Sequence, residues 1–285
     1  MKVHFKNKIL AGTVLCLILS LFTAFTIPLT NETVLRGKGK SNENTVSFRG
    51  GERLVYKLYY SLGILWLPAG EIEFSVTETT TSYELKAIGK TYRSYENIFK
   101  VNDYFYSMVN KQTMLPSNFV RIVEEGKYRL YDSISFDQVR NVAVSYHGKT
   151  KGEAKHQSHT FNESMHDLMS NMYNLRNFKT ENLRKGDQIN LPIFFDKEVY
   201  PIRISYSGKE KKEVKGMGEF NTIKMIPEVM EGNVFKKGDL MTLWVSDDKN
   251  KIPLIIESPV SVGSVKAVLK SYSGLKYDLS SKIKE

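Results

Sequence analysis

The chain has 285 residues, with 41 lysines and arginines against 31 aspartates and glutamates, a formal net charge of +10, and one cysteine. That length can bury a sizeable core, and a lone cysteine excludes a disulfide framework. Lys209, Lys211 and Lys212 alternate with Glu210 and Glu213, which reads as a solvated face, and the aromatic-plus-basic module of a nucleic-acid binder is missing.

The first thirty residues have the layout of a secretory signal peptide. Lys2, Lys6 and Lys8 precede an apolar run from Ile9 to Phe25, and Thr23-Ala24-Phe25-Thr26 supplies small residues before Pro28. The run approaches the length of a short membrane span, so an uncleaved anchor competes. Cleavage is favoured because the run tails off in Thr and Pro without a second charged flank. Cys16 lies inside this segment behind Leu15, where a lipoprotein signal wants a small residue. Cleavage leaves a mature chain with no cysteine and no integral membrane span. Its charge drops from +10 to +7, because Lys2, Lys6 and Lys8 go and positions 1–30 hold no acid. The expected location is exported: periplasm or outer-membrane periphery. Residues 31–47 are polar and without period, a flexible linker, and 48–285 form a single β-rich envelope domain.

From Arg53 the sequence alternates. Leu54, Tyr56, Leu58 and Tyr60 share one face, and a turn around Leu67-Pro68 leads to a strand at Ala69–Val76. Tyr83–Tyr92 and Asn102–Asn110 continue the series, followed by a meander of Phe119–Glu124, Tyr128–Phe136 and Val139–Tyr146. Gly148–Asn162 is polar and reads as an exposed loop. The one amphipathic helix is Glu163–Phe178, with Met165, Leu168, Met169, Met172 and Leu175 at helical spacing. Strands follow near Gln188–Phe195, Val199–Ser207, Gly218–Glu228, Leu240–Ser246, Ile252–Glu257 and Val260–Tyr272, with Ser246–Asn250 as a hairpin turn. The fold class is mainly β: a curved antiparallel sheet or partly open β-barrel of about a dozen strands with one packed α-helix.

The residues that carry chemistry are sparse. His156, His159 and His166 with Asp167 match no zinc spacing, so no metal is assigned. Asp247-Asp248 and Glu124-Glu125 are paired carboxylates at strand ends and read as solvated turn residues. No Gly-x-Ser-x-Gly elbow and no phosphate loop occurs. The expectation is a protein that is not an enzyme, with no catalytic residues and no cofactor. Sixteen Tyr, fifteen Phe and two Trp fall mostly in strands. They either line an apolar ligand space or fill the core.

Four stretches together resemble a known family. They are Gly51-Glu52-Arg53-Leu54-Val55-Tyr56 with Ala69-Gly70-Glu71; Glu125-Gly126-Lys127-Tyr128 with Ser135-Phe136-Asp137; Asp167-Leu168-Met169-Ser170 through Tyr173-Asn174-Leu175-Arg176 with Lys185-Gly186-Asp187; and Trp244–Asp248 with Ile252-Pro253 and Val262-Gly263-Ser264-Val265. Their order and spacing are similar to the bacterial exported family catalogued as domain of unknown function 3108, across roughly Phe48–Tyr272. The chain departs by inserting Leu65-Trp66-Leu67 before the Pro-Ala-Gly turn. The resemblance implies an exported, β-rich, single-domain envelope protein and transfers no catalytic residue.

The functional expectation is a non-catalytic binding or carrier module for an apolar or amphiphilic, lipid-like molecule. Its ligand set is Met165, Leu168, Met169, Met172, Leu175, Tyr56, Tyr60 and Trp66. The alternative is an assembly factor for an outer-membrane or surface-polysaccharide machine with an envelope protein partner. A glycan hydrolase is the third reading.

Overall fold

The computed structural model describes residues 34–36, 46–62, 65–96, 100–227, 241–259 and 263–284. The signal segment 1–30 lies outside them, as does the linker apart from 34–36 and 46–47. Val46 and Phe48 are fully buried, so the packed domain has begun by Val46.

Two meanders of antiparallel strands share one sheet. The first is β2 (Arg53–Leu62), β3 (Leu65–Glu78), β4 (Ser82–Thr91), β5 (Asn102–Asn110), β6 (Pro116–Glu125), β7 (Tyr128–Asp137), β8 (Val142–Gly148) and β9 (Lys155–Thr160). The second is β10 (Gln188–Phe195), β11 (Glu198–Val214), β12 (Gly218–Pro227), β13 (Thr242–Ser246), β14 (Pro253–Pro259) and β15 (Ser264–Ser273). The last strand, β15, pairs with β2, which joins the two meanders, and a short β1 (Val34–Arg36) adds parallel to β10. The ladder is not closed. Among the described residues its two edges are β9 and the short β1 that covers the start of β10, and the seam lies between them.

Alternation explains most of these strands. Along β5 every second residue is buried, so Asp103, Phe105, Ser107 and Val109 face inward, and β4 does the same with Tyr83, Leu85 and Ala87. Bulges curl the sheet. At one of them the register shifts between Leu58 and Tyr59, where Gly70 opposes Leu58 and Pro68 opposes Tyr59. Leu67-Pro68 is therefore not the expected turn but part of a 14-residue strand, the bulge accommodating the proline. A Cβ at Gly70 would run into the carbonyl oxygen of Lys90, so the neighbouring strand demands glycine there. Another bulge, at Gly208 with φ +111°, lets β11 bend and run on to Val214, well past the expected end at Ser207.

The expected loop 148–162 contains β9. Its side chains are almost all exposed, so backbone pairing to β8 holds it without any hydrophobic pattern. A short helix, α1, occupies Arg93–Glu96. The principal helix, α2, is Leu168–Leu175, eight residues where sixteen were expected. Its start is fixed by Asp167. The Asp167 carboxylate accepts from the Ser170 amide at 2.8 Å, while the Ser170 hydroxyl accepts from the Asp167 amide at 3.0 Å, a reciprocal capping box. Before the cap the chain is extended and bridges to β10, where the Phe194 amide donates to the His166 carbonyl.

Candidate functional site

α2 is packed into the core. Met165 is 4% exposed, Leu168 1%, Met169 0% and Tyr173 4%, while Met172 and Leu175 are half-buried against the same core. The helix packs on β4, β5 and β10, so it joins the two meanders through the core. The side-chain amide of Gln138 takes both backbone groups of Met165: Oε1 accepts from its amide and Nε2 donates to its carbonyl. Ser107 on β5 donates its hydroxyl to the Asp167 carboxylate at 2.6 Å. Burial lifts that carboxyl to about 6, and the hydrogen bonds from Ser107 and from the Ser170 and Met169 amides pull the other way.

The C-terminal end of α2 is held by a buried ion pair. The capping residue Arg176 donates Nη1 and Nη2 to the two carboxylate oxygens of Glu52 at 2.6 and 2.8 Å. Its remaining donors go to the carbonyls of Asn250 and Ser47, so the planar fork is used on every side. The guanidinium lies over the rings of Phe48 and Tyr173. The Asn250 side chain reaches the carbonyls of Tyr277 and Asp278, tying the C-terminal tail to the same point.

Beside this hub lies a small cleft lined by Leu54, Tyr56, Phe74, Met172, Tyr173, Arg176, Pro253 and Ile256. It offers about 20 Å³ to the centre of a water-sized sphere, enough for roughly one water. Of the expected ligand set, only Tyr56 and Met172 line it. Tyr56 is buried and donates its hydroxyl to the Pro253 carbonyl at 2.8 Å. Burial drives that phenol far above its ordinary range. Tyr60 is half-buried against the core. Trp66 stands at the far end of the β2–β3 hairpin with the Lys266 ammonium 4.1 Å from its ring centre.

The other expected groups do not gather. His166 contacts Ser170 and Asn174, His159 contacts Ser145, and the His156 ring lies against Tyr146. Burial pushes His166 down to about 4. Asp247 pairs with Lys209 at 2.9 Å, and Asp248 ties the β13–β14 turn by accepting from Ser246, Asn250 and Lys251. Glu125 is 6% exposed, so it is a buried residue and not the solvated turn residue expected.

Sequence reasoning missed Glu52 and Arg176 as a pair, although both stand in the stretches that carry the family resemblance. It also missed a row of inward-facing charges. Asp103, Arg121 and Asp132 each sit in phase with the buried residues of their strands, and that phase was a readable signal.

An open, curled antiparallel sheet with a helix packed into its core and a charge-matched hub at the helix end defines a β-barrel-like class. The chain belongs to the family described as protein of unknown function (DUF3108), whose model matches residues 55–270. A solved structure described as a beta-barrel-like protein of domain of unknown function DUF1849, from Brucella abortus, is similar at a TM-score of 0.53 and 11% identity. The match covers 80% of this chain and 98% of that one. A candidate lipoprotein from Parabacteroides distasonis matches at a TM-score of 0.29 and 12% identity over 80% and 98% of the two chains, too low to carry an argument. No curated protein matches the chain. Among the described residues no helix is long and apolar enough to cross a membrane.

Proposed function

We propose that this is an exported envelope protein that contacts an anionic lipid surface, without catalysis, through the exposed end of its β2–β3 hairpin. One contrast supports the reading. The cleft beside α2 among the described residues admits about one water, while Leu65 and Leu67 are 64% and 47% exposed on either side of Trp66 in the chain. Exposed leucines on one face of the strand, with an amphipathic tryptophan and the Lys266 ammonium on the other, are the side chains an interface between water and lipid favours. The excess of lysine and arginine adds attraction toward anionic headgroups. This reading puts the lipid-like molecule expected from the sequence at the rim of the sheet instead of inside it.

Co-sedimentation with vesicles of anionic and of zwitterionic lipid tests this. The wild type is expected to pellet with anionic vesicles, and a Leu65→Ser, Leu67→Ser double variant to remain in solution while its circular dichroism is unchanged. A wild type that ignores both vesicle types sinks the proposal.

A second reading, docking on an envelope protein, is favoured by β9. It is the last strand of the sheet, with Lys155–Thr160 almost all exposed and one backbone edge that no strand among the described residues pairs. In-cell crosslinking from β9 to a reproducible protein partner, with no vesicle binding, selects it.

A further inference from the structure

Four polar side chains from the two meanders converge at a place that the proposed lipid contact does not use. Arg121, Asp132 and His147 form a row, because Arg121 opposes Asp132 in the β6–β7 ladder and Asp132 opposes His147 in the β7–β8 ladder. Residues directly opposite in antiparallel strands share a face. The fourth member, Asp196, comes from the other meander, on the two-residue β10–β11 turn. There Asp196 and Lys197 both take positive φ, 50° and 70°, as a tight hairpin turn requires.

The Asp132 side chain is 0% exposed, yet its Oδ1 has no hydrogen-bond partner. His147 Nδ1 has none either. These two atoms lie 3.7 Å apart, and Asp196 Oδ1 is also 3.7 Å from His147 Nδ1. One ligand atom from each of the three side chains lies within 4.8 Å of the other two. A point equidistant from them lies about 2–2.4 Å from each, the bond length of an imidazole or carboxylate donor to a divalent ion. Buried polar atoms left without partners cost free energy, and here they point at one spot.

The remaining oxygen of Asp132 is taken by Arg121 Nη2 at 3.3 Å, and the same nitrogen reaches Asp196 Oδ1 at 3.3 Å. Arg121 thus orients the carboxylates from behind, as outer groups around a metal do. It supplies one positive charge against two carboxylates, so a cation at the spot faces net negative charge. One nitrogen and two oxygens suit a borderline ion better than calcium, which takes six to eight oxygens.

We propose that Asp132, His147 and Asp196 form a binding site for a borderline divalent cation such as Zn²⁺, which clips the β7–β8 arm to the β10–β11 hairpin where the backbone ladder stays open. The bound ion replaces, on this side of the seam, the hydrogen bonds that a closed barrel would have. Water completes its coordination on the exposed Asp196 side.

The test is calorimetric titration of Zn²⁺ into the full chain purified without a histidine tag, with thermal melts in parallel. One equivalent is expected to bind and raise the melting temperature, and EDTA to reverse the rise. His147→Gln and Asp196→Asn should each weaken binding at least tenfold. Asp196 is 45% exposed, so its variant folds even if changes at buried Asp132 do not. A His156→Ala, His159→Ala double variant on neighbouring β9 should bind as the wild type does. Absence of binding at millimolar Zn²⁺, unchanged affinity in either single variant, or loss in the β9 variant overturns the site.

Discussion

Two buried arginines make an instructive pair. Arg176 and Arg121 have side chains 5% exposed, each lies over a phenylalanine ring, and each faces a carboxylate that is 0% exposed. At Arg176 the match is complete: Glu52 is held at 2.6 and 2.8 Å, and the leftover donors go to two carbonyls. At Arg121 the contacts stretch to 3.3 Å, its Nε has no hydrogen-bond partner, and neither has Oδ1 of the acid. The same chemistry is sealed at the Glu52 hub and open beside the β10–β11 turn. A sealed cluster specifies the fold, whereas an open one has capacity for something further.

Breaking the sealed hub should have the largest effect. Arg176→Met leaves the Glu52 carboxylate buried and unpaired, at a cost of about 3–5 kcal/mol in denaturant unfolding. Adding Glu52→Leu should recover much of that loss, since the burial of an unmatched charge is its main source. A double variant no better than the single would mean that the hub works through packing instead.

Leu168→Ala should follow, at about 2–5 kcal/mol, because Leu168 is 1% exposed between the helix and the sheet.

A smaller and pH-dependent effect is expected at Asp167. Its carboxyl rises on folding from 3.8 to about 6 through burial. Protonation therefore favours the folded state, a contribution fully present below about 3.8 and lost as pH rises through 6. Asn keeps the helix cap but does not titrate. Urea midpoints of wild type and Asp167→Asn should thus diverge between pH 4 and 7, the wild type losing up to about 2 kcal/mol relative to the variant. A wild type that gains over that interval would reverse the assignment.

At the open cluster, His147→Gln in EDTA should change stability by under about 1 kcal/mol, because no matched pair is lost. The smallest effect belongs to the rim: Leu65→Ser and Leu67→Ser together should stay within about 0.5 kcal/mol per site.

The contrast also explains how much could be read from the sequence. Strands with one apolar and one polar face, such as β4 and β5, announce themselves by alternation. β9 does not, because backbone pairing to β8 holds a run of almost wholly exposed polar side chains. The helix was legible from its Met and Leu spacing, but its length was not. Asp167 and Arg176 end it early by spending their side chains on the cap and on Glu52. The hub was half visible: Glu52 and Arg176 stood in separate recognisable stretches, yet nothing in one chain shows that residues 124 apart meet. Asp132 and Arg121 were legible as polar residues in an apolar phase. Their partner Asp196 was not, because it arrives from the other meander across a gap that only the folded sheet defines.

Whether α2 is structure and the hairpin rim is the contact surface is tested most directly by Leu168→Ala measured two ways. Urea unfolding and anionic-vesicle binding should be read on the same preparation of folded protein. The prediction is a loss of about 2–5 kcal/mol in stability with vesicle affinity unchanged. Weakened vesicle binding with stability intact would contradict it, and would make α2 a lid over a ligand space.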